Sequence, residues 1–285
     1  MGSVVAPDGK TLTYRISRPA TDTPRGTLVL IHGLASNATR WSEFVGTTQL
    51  SQNWNLLRVD LRGHGGSLDH GRISMDVWCK DLAAVLAEER ISRAVIVGHC
   101  LGANVALWFA DRAPQAVEAL VLIEPMFRDA LRGTLARVAK LRRLLVPAVF
   151  VLGLLGALGL HQRRLKPLDL EVLDRETRAA MHGTEEFPVE RYTSVREDLK
   201  SFPLSVYLQD LLAVTAATPE LSVLRMPALA LLSSGGVLSD PGLTEKLLAR
   251  MPDCRIESLA SQHWIPTDQP KAMRRAIEDF CERLG

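Results

Sequence analysis

The sequence predicts an α/β protein: a mostly parallel central sheet with helices on both faces and an inserted helical cap. Three observations carry that expectation. Short apolar runs rich in β-branched residues recur along the chain, each of strand length. Amphipathic helical patterns lie between them, the alternation expected of a parallel sheet covered on both sides. A third stretch, about a hundred residues between Glu124 and Met226, holds no strand-like run and is rich in Arg and Leu. The expected core is 1–125 with 219–285, and the expected cap is 126–218, with an apolar segment at 144–160.

Residues 1–20 alternate weakly around Asp8-Gly9, a turn signal, and predict a hairpin. Buried strands are expected at TLVLIHG (27–33), NLLRVDLRG (55–63), AVIVGH (94–99), ALVLIEP (119–125) and PALALLSS (227–234). Residues 74–90 place Trp78, Leu82, Val85 and Leu86 on one helical face, with Ser74 as N-cap. Residues 102–112, 242–251 and 270–284 also read as helices, and Asp240 before Pro241 suits the cap of the second of these.

The 285 residues are 47% apolar and 23% charged, an ordinary globular balance with enough material for a core. A formal net charge of +2 gives no reason to expect nucleic acid as a partner. Cys79, Cys100, Cys254 and Cys281 show no paired spacing, so neither disulfides nor a zinc site is expected, and a reducing, cytoplasmic setting is. The N-terminal residues show no signal-peptide pattern. No metal-ligand cluster or dinucleotide fingerprint appears, and no cofactor is expected.

The chemistry concentrates in VGHCLGANVA (97–106). A strand entering Gly-x-nucleophile-x-Gly and then a helix is a nucleophile elbow, in which Gly98 and Gly102 let backbones approach closely. Cys100 then stands at a helix N-terminus, where the dipole favours thiolate. Three further stretches flank it in order: LIHGLASNATRW (30–41), DLRGHGGS (60–67) and SQHWIPTDQP (261–270). With GHCLG (98–102), these four resemble the His-Gly loop, the Asp-x-Arg-Gly-His-Gly-x-Ser turn, the elbow and the catalytic-histidine loop of the α/β-hydrolase superfamily. The resemblance spans nearly the whole chain outside the cap.

It implies Cys100 as nucleophile, His263 as general base, and the amides of Leu34 and Leu101 as oxyanion hole. His32 and His64 belong to backbone-shaping turns, and His99 is expected beside the cap, in reach of substrate. The resemblance also implies an acid to orient His263, for which the sequence offers more than one position. The position after strand 228–232 that commonly bears the acid falls on Gly236; Glu124, at the end of the preceding strand, is the first candidate and Asp240 the alternative. A thiol needs less help from an acid than a serine hydroxyl does.

An acyl-cysteine is a thioester, still reactive toward water, thiols, amines and alcohols. Esters or thioesters with a hydrophobic acyl group, free or carrier-bound, are therefore the expected substrates of a hydrolase. Acyl transfer or cyclisation with the same residues is the alternative, and a non-catalytic binding role the second. The elbow cysteine resembles those of dienelactone hydrolases, polyhydroxyalkanoate synthases and some thioesterases, without assigning a subgroup. Segment 144–160 has three readings: a membrane span, a buried lid, or a helix lying on a membrane surface. Between 128 and 166 nine Lys/Arg face one acid, Asp129, which favours contact with an anionic surface or an acidic carrier.

Overall fold

In the computed structural model, which describes residues 1–160, 164–181 and 187–284, an eight-stranded sheet runs through the molecule. The strands are β1 (Gly2–Val5), β2 (Thr11–Ser17), β3 (Gly26–Ile31), β4 (Trp54–Val59), β5 (Ala94–His99), β6 (Val117–Ile123), β7 (Ala228–Ser233) and β8 (Cys254–Leu259). Their order is β1-β2-β4-β3-β5-β6-β7-β8. The β1–β2 hairpin joins β4 antiparallel, and β4 through β8 are parallel.

The helices are α1 (Ser42–Thr47), α2 (Met75–Glu88), α3 (Leu101–Arg112), α4 (Gly133–Ala157), α5 (Leu170–Met181), α6 (Val189–Tyr192), α7 (Val195–Ser201), α8 (Leu204–Val214), α9 (Pro241–Leu248), α10 (Ile265–Asp268) and α11 (Pro270–Glu282). Ser74 caps α2 through the Val77 amide, and Asp240 caps α9 through that of Leu243, as their sequences predict. Two apolar clusters sandwich the sheet. Val29 and Ile31 of β3 face Trp78, Leu82 and Phe109; Leu28 and Leu30 face Trp41, Phe44 and Ile277. Fully buried strands alternate between the two clusters rather than between core and water.

From β3 the chain moves outward to β4, then crosses back to place β5 on the other side of β3. The carboxyl ends of β3 and β5 thus flank the switch in strand order, where a crevice opens in this class of sheet.

The expected strands are all present, and the sheet has one more, β8. Its sequence, CRIESL, mixes charge with apolar residues because it is a half-buried edge strand. Helices α4 to α8 fill the interval between β6 and β7. Segment 144–160 largely falls within α4, which continues through Pro147. The proline and glycines of that segment argue for an interrupted helix; Pro147 instead lies on the exposed side of a helix that continues past it. Among the described residues no helix is long and apolar enough to cross a membrane. Arg163, one of the basic residues flanking the apolar segment, lies outside the described residues.

Two buried polar contacts tie these helices to the sheet. Arg40, in the loop after β3, donates to both carboxylate oxygens of Asp174 on α5 at 2.7 and 2.6 Å, and to Thr267 on α10 at 2.7 Å. His64 Nε2 lies 3.0 Å from Asp210 Oδ2 on α8, with both side chains buried. Burial opposes a charge on His64, and the Asp210 carboxylate raises its pKa nonetheless. His32 and His64 do shape turns. His32 bonds the Gly33 carbonyl at 2.8 Å and accepts from the Leu61 amide at 3.1 Å.

Candidate active site

Cys100 joins β5 to α3 with φ 54° and ψ −117°, a conformation that side-chain-bearing residues rarely adopt. Two glycines make the turn sterically available. A Cβ on Gly98 would lie 2.3 Å from the Gly102 carbonyl oxygen, and one on Gly102 would lie 2.4 Å from that of Ile31. The turn sets Cys100 at the N-cap of α3, and Leu101 is the first helical residue. An amide in the first turn has no carbonyl one turn back to bond, so that of Leu101 is available to a ligand. Gly33 packs against the elbow, its Cβ position 3.2 Å from Cys100 Cβ, which brings the Leu34 segment alongside the thiol.

His263 follows β8 on a loop held from two sides. The Gln262 amide donates to Asp268 Oδ2 at 2.7 Å, and His99 Nε2 donates to the His263 carbonyl at 3.0 Å. The His263 side chain is buried and hydrogen-bonded to that of Cys100. On its other side Nδ1 donates to Glu124 Oε2 at 2.9 Å. Glu124, the residue after β6, has φ 51°, and its second oxygen accepts the Ser233 amide at 2.6 Å. One carboxylate thus bridges the end of β7 and the imidazole, which fixes both its orientation and the ring's tautomer.

Burial opposes a charged ring at His263. The negative charge of Cys100 and its hydrogen bond, followed by those of Glu124, overcome this and raise the pKa to about 10. Both neighbours therefore favour the charged form of the His263 ring. His99, by contrast, is held well below its ordinary value by burial and then by the neighbouring His263. It stays neutral, as donation from Nε2 to a carbonyl requires no charge.

The structure thus brings together Cys100, His263 and Glu124, with His99 beneath them. It does not bring Asp240 there: that carboxylate caps α9 and pairs with Arg132 at 2.5 Å. Gly236 lies in the same loop with φ 59°. The other three cysteines stand apart from the site, and burial pushes their thiols up, to about 11 for Cys79 and Cys254 and about 12 for Cys281.

Above Cys100 and His263 lies a cavity of about 740 Å³. Leu135, Leu168, Leu173, Leu211, Val214 and Leu238 give it an apolar lining. Its polar residues include Arg40, within the 30–41 stretch, and Tyr192, Asp198 and Tyr207, which stand in no motif that the sequence shows. Burial pushes the Asp198 carboxyl up to about 7, against a hydrogen bond from Tyr207 that lowers it. Tyr192 donates to Asp174 at 2.8 Å and packs on Trp264, beside His263. Among the described residues no cluster of His, Cys, Asp and Glu could hold a metal ion.

The family model described as "Serine aminopeptidase, S33" matches residues 22–263. A "putative esterase/lipase" of Haemophilus influenzae is 24% identical over 269 residues, 90% of this chain and 83% of that protein. The "pimeloyl-[acyl-carrier protein] methyl ester esterase" of Nitrosomonas europaea is 38% identical over 96 residues, 34% of this chain and 36% of that one. Matches of that higher identity span only about a third of the relatives' length. The crystal structure of a hydrolase from Pseudomonas aeruginosa superposes with a TM-score of 0.71 at 23% identity, covering 98% of this chain and 97% of that one.

Proposed function

The chain belongs to the serine aminopeptidase S33 family of α/β hydrolases, and from that premise we propose that it is a cysteine-dependent esterase or thioesterase for hydrophobic acyl groups. The observation that carries this reading is the hydrogen-bonded series Cys100, His263, Glu124 at the floor of an apolar cavity. The ester-directed relatives support it.

Cys100 Sγ, its proton passed to His263 Nε2, attacks the acyl carbonyl carbon. The carbonyl oxygen gains the negative charge, and the Leu34 and Leu101 amides are the donors placed to receive it. Losing one such donor typically raises the barrier by about 3 kcal/mol. Collapse of the tetrahedral species breaks the bond to the alcohol or thiol, which leaves with the His263 proton. Water then gives its proton to His263 and its oxygen to the thioester carbon, releasing acid and restoring the thiol. Glu124 holds the ring's Nδ1–H throughout.

The family description names serine, and this chain has cysteine at the elbow. A thiolate is a good leaving group, so an amide intermediate partitions back to substrate; peptide cleavage fits the site less well than ester or thioester cleavage. Burial of Cys100 and His263 beneath helices α4 to α8 favours a second reading, acyl transfer to an alcohol, amine or thiol that displaces water.

Intact mass spectrometry with a panel of acyl esters and thioesters tests the proposal. An acyl adduct is expected on the native chain and absent from Cys100→Ala. Adding an acceptor nucleophile distinguishes hydrolysis from transfer by product. No adduct with any member of the panel, together with no alkylation of Cys100 by iodoacetamide at neutral pH, would make the protein a binding module instead.

A further inference from the structure

Helix α4 is 25 residues long, about 38 Å at 1.5 Å per residue, and only one side of it is covered. Ala139, Val149, Gly153 and Gly156 are its buried residues. Gly153 packs on Gln209 of α8, and a Cβ on Gly156 would lie 2.6 Å from the His70 carbonyl oxygen. The small residues thus face the protein, and the large apolar ones face outward. Leu144 is 76% exposed, Phe150 55%, Leu154 53% and Leu158 71%; Val151 and Leu155 are also exposed.

The outward side is ordered along the helix. Positions 137, 140, 144, 147, 151, 154, 155 and 158 recur at spacings of three and four and share that side. Its first two turns carry Arg137 and Lys140, with Arg143 adjoining, and the following turns carry only proline, valine and leucine. Among the described residues no carboxylate pairs with these three cations. A cationic half followed by an apolar half matches the two layers of an anionic membrane surface, phosphates outside and acyl chains within. A second copy of the chain matches poorly, because it would bring the same cations against themselves or against leucines.

We propose that α4 docks the protein on an anionic lipid surface, with Leu144, Val151, Leu154 and Leu158 entering the acyl layer and Arg137, Lys140 and Arg143 among the phosphates. Arg132, Gly133, Thr134 and Leu135, at the start of the same helix, line the cavity above Cys100. Docking therefore brings the cavity wall to the membrane surface and shortens the path of an acyl chain from lipid to thiol. The docking itself does not depend on what chemistry Cys100 performs.

Flotation of the full chain with vesicles of phosphatidylglycerol and phosphatidylcholine, against phosphatidylcholine alone, reads this directly without any activity. The chain is expected to float with the anionic vesicles and to be released by about 0.5 M salt, which screens the charge contribution. Arg137→Gln/Lys140→Gln/Arg143→Gln should lower partitioning roughly a hundredfold, from about 1 kcal/mol per cation. Leu154→Ser/Leu158→Ser should lower it by at least about tenfold through lost apolar burial. All of these side chains are outward, so circular dichroism and melting temperature should match the native chain. Absence of flotation with anionic vesicles at low salt would overturn the proposal, as would variants that float like the native chain. A dimer in light scattering that Leu154→Ser/Leu158→Ser splits would also overturn it, assigning this face to self-association.

Discussion

Glu124 and Asp240 show how one carboxylate becomes part of a site while another supports a helix. Glu124 spends both oxygens inside the molecule, one on the Ser233 amide and one on His263. Asp240 is occupied with the first turn of α9 and with Arg132. Glu124→Gln should therefore lower kcat of ester turnover by roughly 10²- to 10⁴-fold, because an amide holds neither the ring's tautomer nor its charge. Asp240→Asn, which retains a capping oxygen, should leave kcat essentially unchanged; steady-state kinetics on the two variants checks both. Asp198 carries a separate pH effect. In the unfolded chain it ionises near 3.8, and in the folded cavity burial delays ionisation to about 7. The folded state thus binds this proton more tightly, and the stability it contributes is full below 3.8 and lost as pH rises through 7. Asp198→Asn should consequently melt higher than the native chain at pH 8, with the advantage shrinking toward pH 4; thermal melts across that range read it.

At the scale of elements, the elbow depends on contact between β3, β5 and α3 closer than any side chain allows. Gly102→Ala would press a methyl onto the Ile31 carbonyl oxygen, and a loss of about 3 kcal/mol or more is expected by chemical denaturation. Such local chemistry is what made the elbow legible in the sequence: GHCLG needs its glycines for steric reasons that hold in any context. Strands β3, β5, β6 and β7 were equally legible, since burial on both faces leaves continuous apolar runs. Strand β8 was not, because an edge strand mixes polar and apolar residues. Glu124 could be nominated from its place after a strand, but choosing it over Asp240 needed the neighbouring positions of β6 and β7 in the sheet. Arg40 was invisible as a cavity residue, since its partner Asp174 is 134 positions away and no local pattern joins them.

Across the whole molecule, buried charge couples helix α5 to the loop that follows β3. Arg40 and Asp174 are each about 5% exposed, and Asp174→Asn would leave the guanidinium without its counter-charge. Breaking such a pair destabilises by about 3–5 kcal/mol, whereas replacing both partners by apolar residues is often near neutral. Asp174→Asn should thus sensitise α5 and α6 to limited proteolysis, and Arg40→Met/Asp174→Leu should recover most of the resistance. The placement of Glu124 has a different kind of consequence. Cys100 and Glu124 stand at the ends of adjacent strands, β5 and β6, whereas the β7–α9 loop lends Val237 and Leu238 to the cavity wall. A change in that loop therefore reshapes the cavity wall while the hydrogen-bonded series of Cys100, His263 and Glu124 keeps its framework.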